Sequence, residues 1–131
     1  IRSGNVGIGL SNPSVRLDVN GSVKATAYLY SSDANLKTDI NQISNSLSKV
    51  KELEGVEFKW KDTNRSDIGL IAQDVEKVIP EIVHTDDSGM KSVEYGKVVA
   101  VLILAIKEQQ VQIEKQDKRI KELEKKLEDE N

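Results

Sequence analysis

The chain has 131 residues, with 19 Lys and Arg against 22 Asp and Glu, a formal net charge of −3, and aromatics at only 4%. That length suffices for one modest domain and an elongated element, but so little aromatic mass points to burial shared between copies rather than to a compact enzyme core. With no basic excess a whole-surface nucleic-acid footprint is not expected, and with no cysteine disulfides, thiolate metal sites and a cysteine nucleophile are excluded.

No charged-then-apolar signal opens the chain. It begins at Ile1 rather than Met, which is expected of a piece of something longer. Residues 1–30 are rich in Gly, Asn, Ser and Val, with alternations Val6-Gly7-Ile8-Gly9-Leu10 and Val15-Arg16-Leu17-Asp18-Val19. Period-two alternation broken by Asn12-Pro13 and Asn20-Gly21 predicts short strands joined by tight turns. Glycine on a strand face implies close backbone approach, as in the end of an intertwined shaft. Gly7 and Gly9 do not make a nucleotide loop, since no helix or Lys-Ser/Thr follows.

Residues 31–97 read as a mixed segment. Asp39 is placed to cap a helix carrying Ile40, Ile43, Leu47, Val50 and Leu53 and ending at Gly55. Residues 56–60 alternate like a strand, with Phe58 and Trp60 on one face as a core anchor, and residues 61–67 form a turn. A second short strand is expected over residues 68–71 and a short helix over 72–78, stopped near Pro80. The turn at Asp86-Asp87-Ser88-Gly89 leads to a strand over residues 91–95.

Residues 98–131 predict one long helix. Its longest apolar run, residues 98–106, is too short to span a bilayer. Val99, Ile106, Ile113, Ile120 and Leu127 recur every seventh residue as a positions, with Leu102, Gln109, Gln116 and Leu123 at d. That is a coiled-coil pattern, in which Arg119 at g and Glu124 at the following e pair between parallel helices. The glutamines weaken the seam and read as register-setting residues; isoleucine at a leaves two strands and three both open.

The stretch that bears chemistry is Ser31-Ser32-Asp33-Ala34-Asn35-Leu36-Lys37. A serine and a lysine five residues apart meet if the chain turns between them, and a lysine whose pKa is lowered by burial is a general base for a hydroxyl. On spacing alone the plainer reading, a cap beside a solvated lysine, prevails. Four further blocks change that: residues 55–60, the run Ile68-Gly69-Leu70-Ile71-Ala72-Gln73-Asp74-Val75-Glu76 with Pro80-Glu81, residues 91–95, and residues 102–108. With Ser32 to Ile40 they follow in the order and spacing of the endosialidase-type intramolecular chaperone domain, which residues 31–110 resemble. Gly4 to Gly9 and Leu17 to Val23 resemble the short repeats that precede that domain in fibre proteins.

The resemblance implies a homotrimer that folds the β-rich fibre shaft upstream on the same chain and is released by autoproteolysis. It implies Ser32 as nucleophile, Lys37 as base and Ser31–Ser32 as the bond cut. Asn35 stands where many members have arginine, a difference that bears on local pairing. Asp33 is read as a cap. The same resemblance implies a virion tail-fibre precursor folded in the host cytoplasm. No cofactor is expected, and with neither a basic excess nor a long apolar run no nucleic acid or membrane is expected among its partners.

Other candidates have plainer readings. His84 is the only histidine, so a triad or histidine metal site lacks partners, and a surface strand end is expected. Asp86-Asp87 reads as an acidic turn rather than a cation site. Gln73, Asp74 and Glu76 read as interface or core residues. The expected fold is α+β: a short β-rich shaft end (1–30), a small mixed α/β chaperone domain (31–97) and a long helix forming a parallel, trimeric coiled coil (98–131). Two functional readings stand, a self-cleaving chaperone and a non-cleaving trimerisation cap at a fibre tip. A DNA-binding factor carrying the module is less supported, since no basic recognition region precedes Ser31.

Overall fold

The computed structural model describes residues 4–130. They fall into two compact units, one of residues up to Asn41 with Asp86–Met90, the other of Gln42–Thr85 and the residues from Lys91 onward.

In the first unit, strands β1 (Val6–Ile8) and β2 (Leu17–Val19) pair in parallel, Val6 with Leu17 and Ile8 with Val19. The alternating residues are therefore strands, but Asn20-Gly21 does not turn a hairpin: the Asn20 N–H donates to Ile8 O and prolongs the parallel ladder. The connector between the strands is short and tight. A Cβ on Gly7 would sit 2.6 Å from Leu10 O, and Gly9 has φ +75°, so glycine is required at both. Ser14 donates through both N–H and Oγ to Asp18 Oδ2 at 2.9 Å, closing the connector onto β2. Val6, Ile8 and Leu17 stay more than half exposed. A single three-residue pair has nothing to bury them against.

The second unit is built on one helix. Helix α1 (Ser46–Glu52) precedes an antiparallel hairpin of β3 (Val56–Lys59) and β4 (Ser66–Gly69). Helix α2 (Ala72–Val78) and a 3-10 turn (Pro80–Ile82) follow, then the hairpin of β5 (Val83–Thr85) and β6 (Lys91–Val93). Helix α3 (Tyr95–Asp129) is 35 residues long, about 52 Å at the usual rise per residue. The fold is thus mixed α+β, with small sheets and a long C-terminal helix. The core is small: Val75 of α2, Ile79 just after it, Ile82, and Val101 of α3, with Ile43, Val50, Leu53 and Leu70 packed against them.

Four local expectations change, two of them boundaries: β4 takes Ser66–Gly69 rather than residues 68–71, and α3 starts at Tyr95, inside the strand expected over residues 91–95. Asp39 caps no helix: its φ is +50°, its carbonyl accepts from Asn41 Nδ2, and α1 starts seven residues later. Asn45 is also left-handed (φ +54°), so two bends interrupt the apolar spacing and leave Ile40 outside the helix and exposed. Trp60 is not a core anchor either. Its indole lies half-exposed, edge-on to Phe58 at 5.3 Å, and donates from Nε1 to Asp67 Oδ2 at 3.0 Å. That bond holds the two ends of the β3–β4 turn together, a role for tryptophan that alternation alone does not reveal.

Among the described residues the heptad face of α3 is largely exposed. Val99, Leu102, Ile106, Ile113, Ile120, Leu123 and Leu127 are each at least 41% exposed, whereas Val101 and Ala105 are buried. The helix therefore presents one apolar side to α1 and the Pro80–Ile82 turn near its start, and a second, longer stripe to solvent.

Candidate active site

The first unit carries the serine and lysine singled out above. Asp33 (φ −62°, ψ 135°) caps a 3-10 turn over Ala34–Leu36, its Oδ1 accepting from Asn35 N at 2.8 Å. Leu36 N–H bonds Asp33 O at 3.1 Å and Lys37 N–H bonds Ala34 O at 3.0 Å. Such a turn advances little per residue, so the side chains at its two ends meet. Lys37 Nζ donates to Ser32 Oγ at 2.8 Å and to Ser32 O at 3.2 Å.

This geometry has the reach that general-base activation of a hydroxyl requires. Its surroundings in a single chain are open. Every residue from Gly21 to Gln42 is exposed, and Tyr28, Tyr30, Leu36 and Ile40 all leave most of their surface in solvent. Leu29, three residues before Ser32, is 95% exposed. Among the described residues no hydrogen bond reaches the Ser31 carbonyl oxygen.

The remaining candidates are tied into structure. His84 sits exposed on β5, its Nε2 3.1 Å from Glu94 Oε2, and Glu94 also pairs with Lys97 at 2.7 Å. Asp86 Oδ1 accepts from Ser88 N, Ser88 Oγ and Met90 N, which spends the carboxylate on the β5–β6 turn. These bonds, first the Ser88 hydroxyl, hold the Asp86 carboxyl below its usual range. Asp74 pairs with Lys77 and Glu76 with Lys91, while Gln73 is exposed. Among the described residues no group of three His, Asp or Glu is placed to hold a metal ion.

Two residues matter more than the sequence suggests. Glu108 of α3 accepts from Ser46 N with Oε1 and from Leu47 N with Oε2, both at 2.9 Å. Tyr95 Oη accepts from Leu70 N at 2.8 Å and lies over Gly69, where a Cβ would come within 2.7 Å of it. Their only signal in the sequence is membership of the resembling blocks, Tyr95 in residues 91–95 and Glu108 in residues 102–108.

Comparison with known proteins decides the family. Residues 32–84 match the model of a serine-peptidase family described as chaperone of endosialidase. The chain carries a chaperone-of-endosialidase domain. The matched segment of this chaperone domain opens on Ser32 and takes in Lys37, the β3–β4 hairpin, α2 and His84. The chain is 35% identical to the long tail fiber protein Gp37 of Enterobacteria phage K3, with 73% of this chain and 8% of that protein covered. The same identity and share of this chain hold for Gp37 of Enterobacteria phage T2, at 7% of its length. It is also 29% identical to myelin gene regulatory factor-like A of Dictyostelium discoideum, over 79% of this chain and 12% of that protein. The chain thus spans about a tenth or less of the curated relatives it matches.

Proposed function

We propose that this chain is a self-cleaving assembly module: it associates through α3 as a homotrimer, aligns an upstream fibre shaft, and cuts the Ser31–Ser32 bond. Residues 1–30 are the shaft end, 31–97 the processing domain and 98–131 the associating helix. The observation that carries the reading is Lys37 Nζ at 2.8 Å from Ser32 Oγ, on the first residue of the family match. The family supports a serine-peptidase class and the tail-fibre relatives support a fibre chaperone and a virion tail component. Folding in a host cytoplasm and release from the finished fibre belong to the same proposal.

The chemistry follows from connectivity. Ser32 Oγ attacks the carbonyl carbon of Ser31 while neutral Lys37 takes the hydroxyl proton. The C–N bond then breaks, Lys37 returns the proton to the leaving nitrogen, and an ester joins Ser31 to Ser32 Oγ. Water hydrolyses the ester, leaving a carboxylate on Ser31, a free amino group on Ser32 and the hydroxyl restored. Lysine is a base only when neutral, and desolvation favours that form. The apolar residues bared around the dyad, Leu29 foremost, are suited to supply that desolvation when other copies cover them. Assembly then precedes cutting. Irreversible cutting after assembly traps the shaft kinetically, and a helix that gathers chains raises the effective concentration for its slow, non-local strand pairing.

The test is a dilution series in which sedimentation and cutting are followed together. The proposal expects the rate of cutting to fall in step with the associated fraction. A rate independent of concentration would overturn the order of events. The second reading, a non-cleaving cap, is favoured by the exposure of Ser32 and Lys37 in a single chain, and it predicts an associated chain that never cuts.

A further inference from the structure

We infer that Gln109 and Gln116 form two consecutive polar layers that fix the axial register between parallel copies of α3. This rests on the associating-helix reading above and deepens it. Both residues lie on the solvent-facing stripe with Leu102 and Leu123 before and after them, both are exposed, and among the described residues neither side-chain amide has a hydrogen-bond partner. Their neighbour Gln110, off the stripe, is by contrast bonded to Glu114.

The occupant of the stripe is a second copy in parallel, and charge decides this. The positions flanking the stripe on one side hold Asp117 and Glu124, and on the other Arg119 and Lys126. A parallel neighbour sets Arg119 against Glu124, while an antiparallel one sets acid against acid and base against base. Once copies are parallel, each glutamine amide is removed from water and needs an amide opposite it, which carries both a donor and an acceptor. In register, Gln109 meets Gln109 and Gln116 meets Gln116. A slip of one heptad still sets four of the five apolar a positions against apolar neighbours, so these oppose it only weakly. The same slip sets Gln109 of one copy against Leu102 of the next and Leu123 against its Gln116; only Gln116 still meets an amide, that of Gln109, and two amides are buried unpaired. A layer of polar residues in a coiled-coil seam specifies alignment at a cost in stability for this reason.

The chain has no cysteine, so single introduced cysteines report register cleanly. Chains with Ile106→Cys are mixed with chains with Ile113→Cys, associated, then oxidised. A second pair, Ile113→Cys with Ile120→Cys, guards against a variant that fails to associate. One heptad offsets the sites by about 10 Å, beyond the usual disulfide reach. Like-with-like bonds are expected to exceed mixed bonds by at least about 100-fold, from two mispaired buried amide layers. In a Gln109→Leu, Gln116→Leu background the association strengthens and mixed bonds rise to a comparable yield. Equal mixed bonding with both glutamines present overturns the inference, as does undiminished selectivity with both replaced. If no bond forms in either pair, the parallel association itself is wrong and the layers fall with it.

Discussion

Glu108 and Ser46 stand 62 residues apart in the chain and 2.9 Å apart in the fold, where the Glu108 carboxylate accepts the Ser46 N–H and, with its other oxygen, that of Leu47. The cap that Asn45 does not supply to α1 is thus delivered from α3. A carboxylate at this end meets unpaired N–H groups and the positive end of the helix dipole together.

Glu108→Ala is therefore expected to lower stability by about 2–3 kcal/mol, as for charge-assisted bonds to a part-buried backbone. Glu108→Gln retains one acceptor and should lose roughly half as much. Urea unfolding of the three chains checks this. Equal midpoints would mean that solvent serves the two N–H groups as well as the carboxylate does.

How much of this was legible follows from the range of each interaction. Residues 72–78 announced α2 with its correct limits, because short-range spacing and Pro80 set both ends. The α3 pattern was equally plain, although the helix starts at Tyr95, where strand alternation had seemed to continue. The α1 start was misread because apolar spacing from Ile40 to Leu53 ignores the left-handed bends at Asp39 and Asn45. Parallel pairing of β1 with β2 contradicts the usual sense of Asn-Gly, since the partner strand was already fixed upstream of it. Ser32 and Lys37 were found by a local motif, and a local turn brings them together. Glu108 and Tyr95 were not found, since their partners lie 61 and 25 residues away or more.

Gly69→Ala tests the close approach of β4 to α3. The added methyl would lie 2.7 Å from Tyr95 Oη and 3.4 Å from Phe58 Cε1, so the phenol must move and release Leu70 N. A loss of about 1–3 kcal/mol is expected. Tyr95→Phe in the same chain should add little further loss, because the bond is already gone. Additive losses in the double variant would show that the two sites act separately.

Stability should fall in acid in a way that Glu94 helps to set. Hydrogen bonds from Lys97 and then His84 hold its carboxyl below the ordinary carboxylate range. Because the folded chain keeps this group ionised to lower pH than the unfolded chain does, its contribution is full above the unfolded value. It is lost as pH falls through the lowered folded value. The difference in urea midpoint between wild type and Glu94→Gln should thus hold at neutral pH and shrink below about pH 4.5. A difference unchanged down to about pH 3 would remove Glu94 from the acid response.

The central claim is that Ser32 cuts the chain at its own preceding bond with Lys37 as base. Intact-mass analysis of the associated wild type beside Ser32→Ala and Lys37→Arg tests it most directly. Arginine keeps the charge but does not give up its proton, so it separates a base from a mere cation. The account predicts wild-type masses that meet at Ser31–Ser32 and two variants that stay whole. An intact wild type, a cut elsewhere, or a Lys37→Arg chain that cuts as fast as wild type would contradict it.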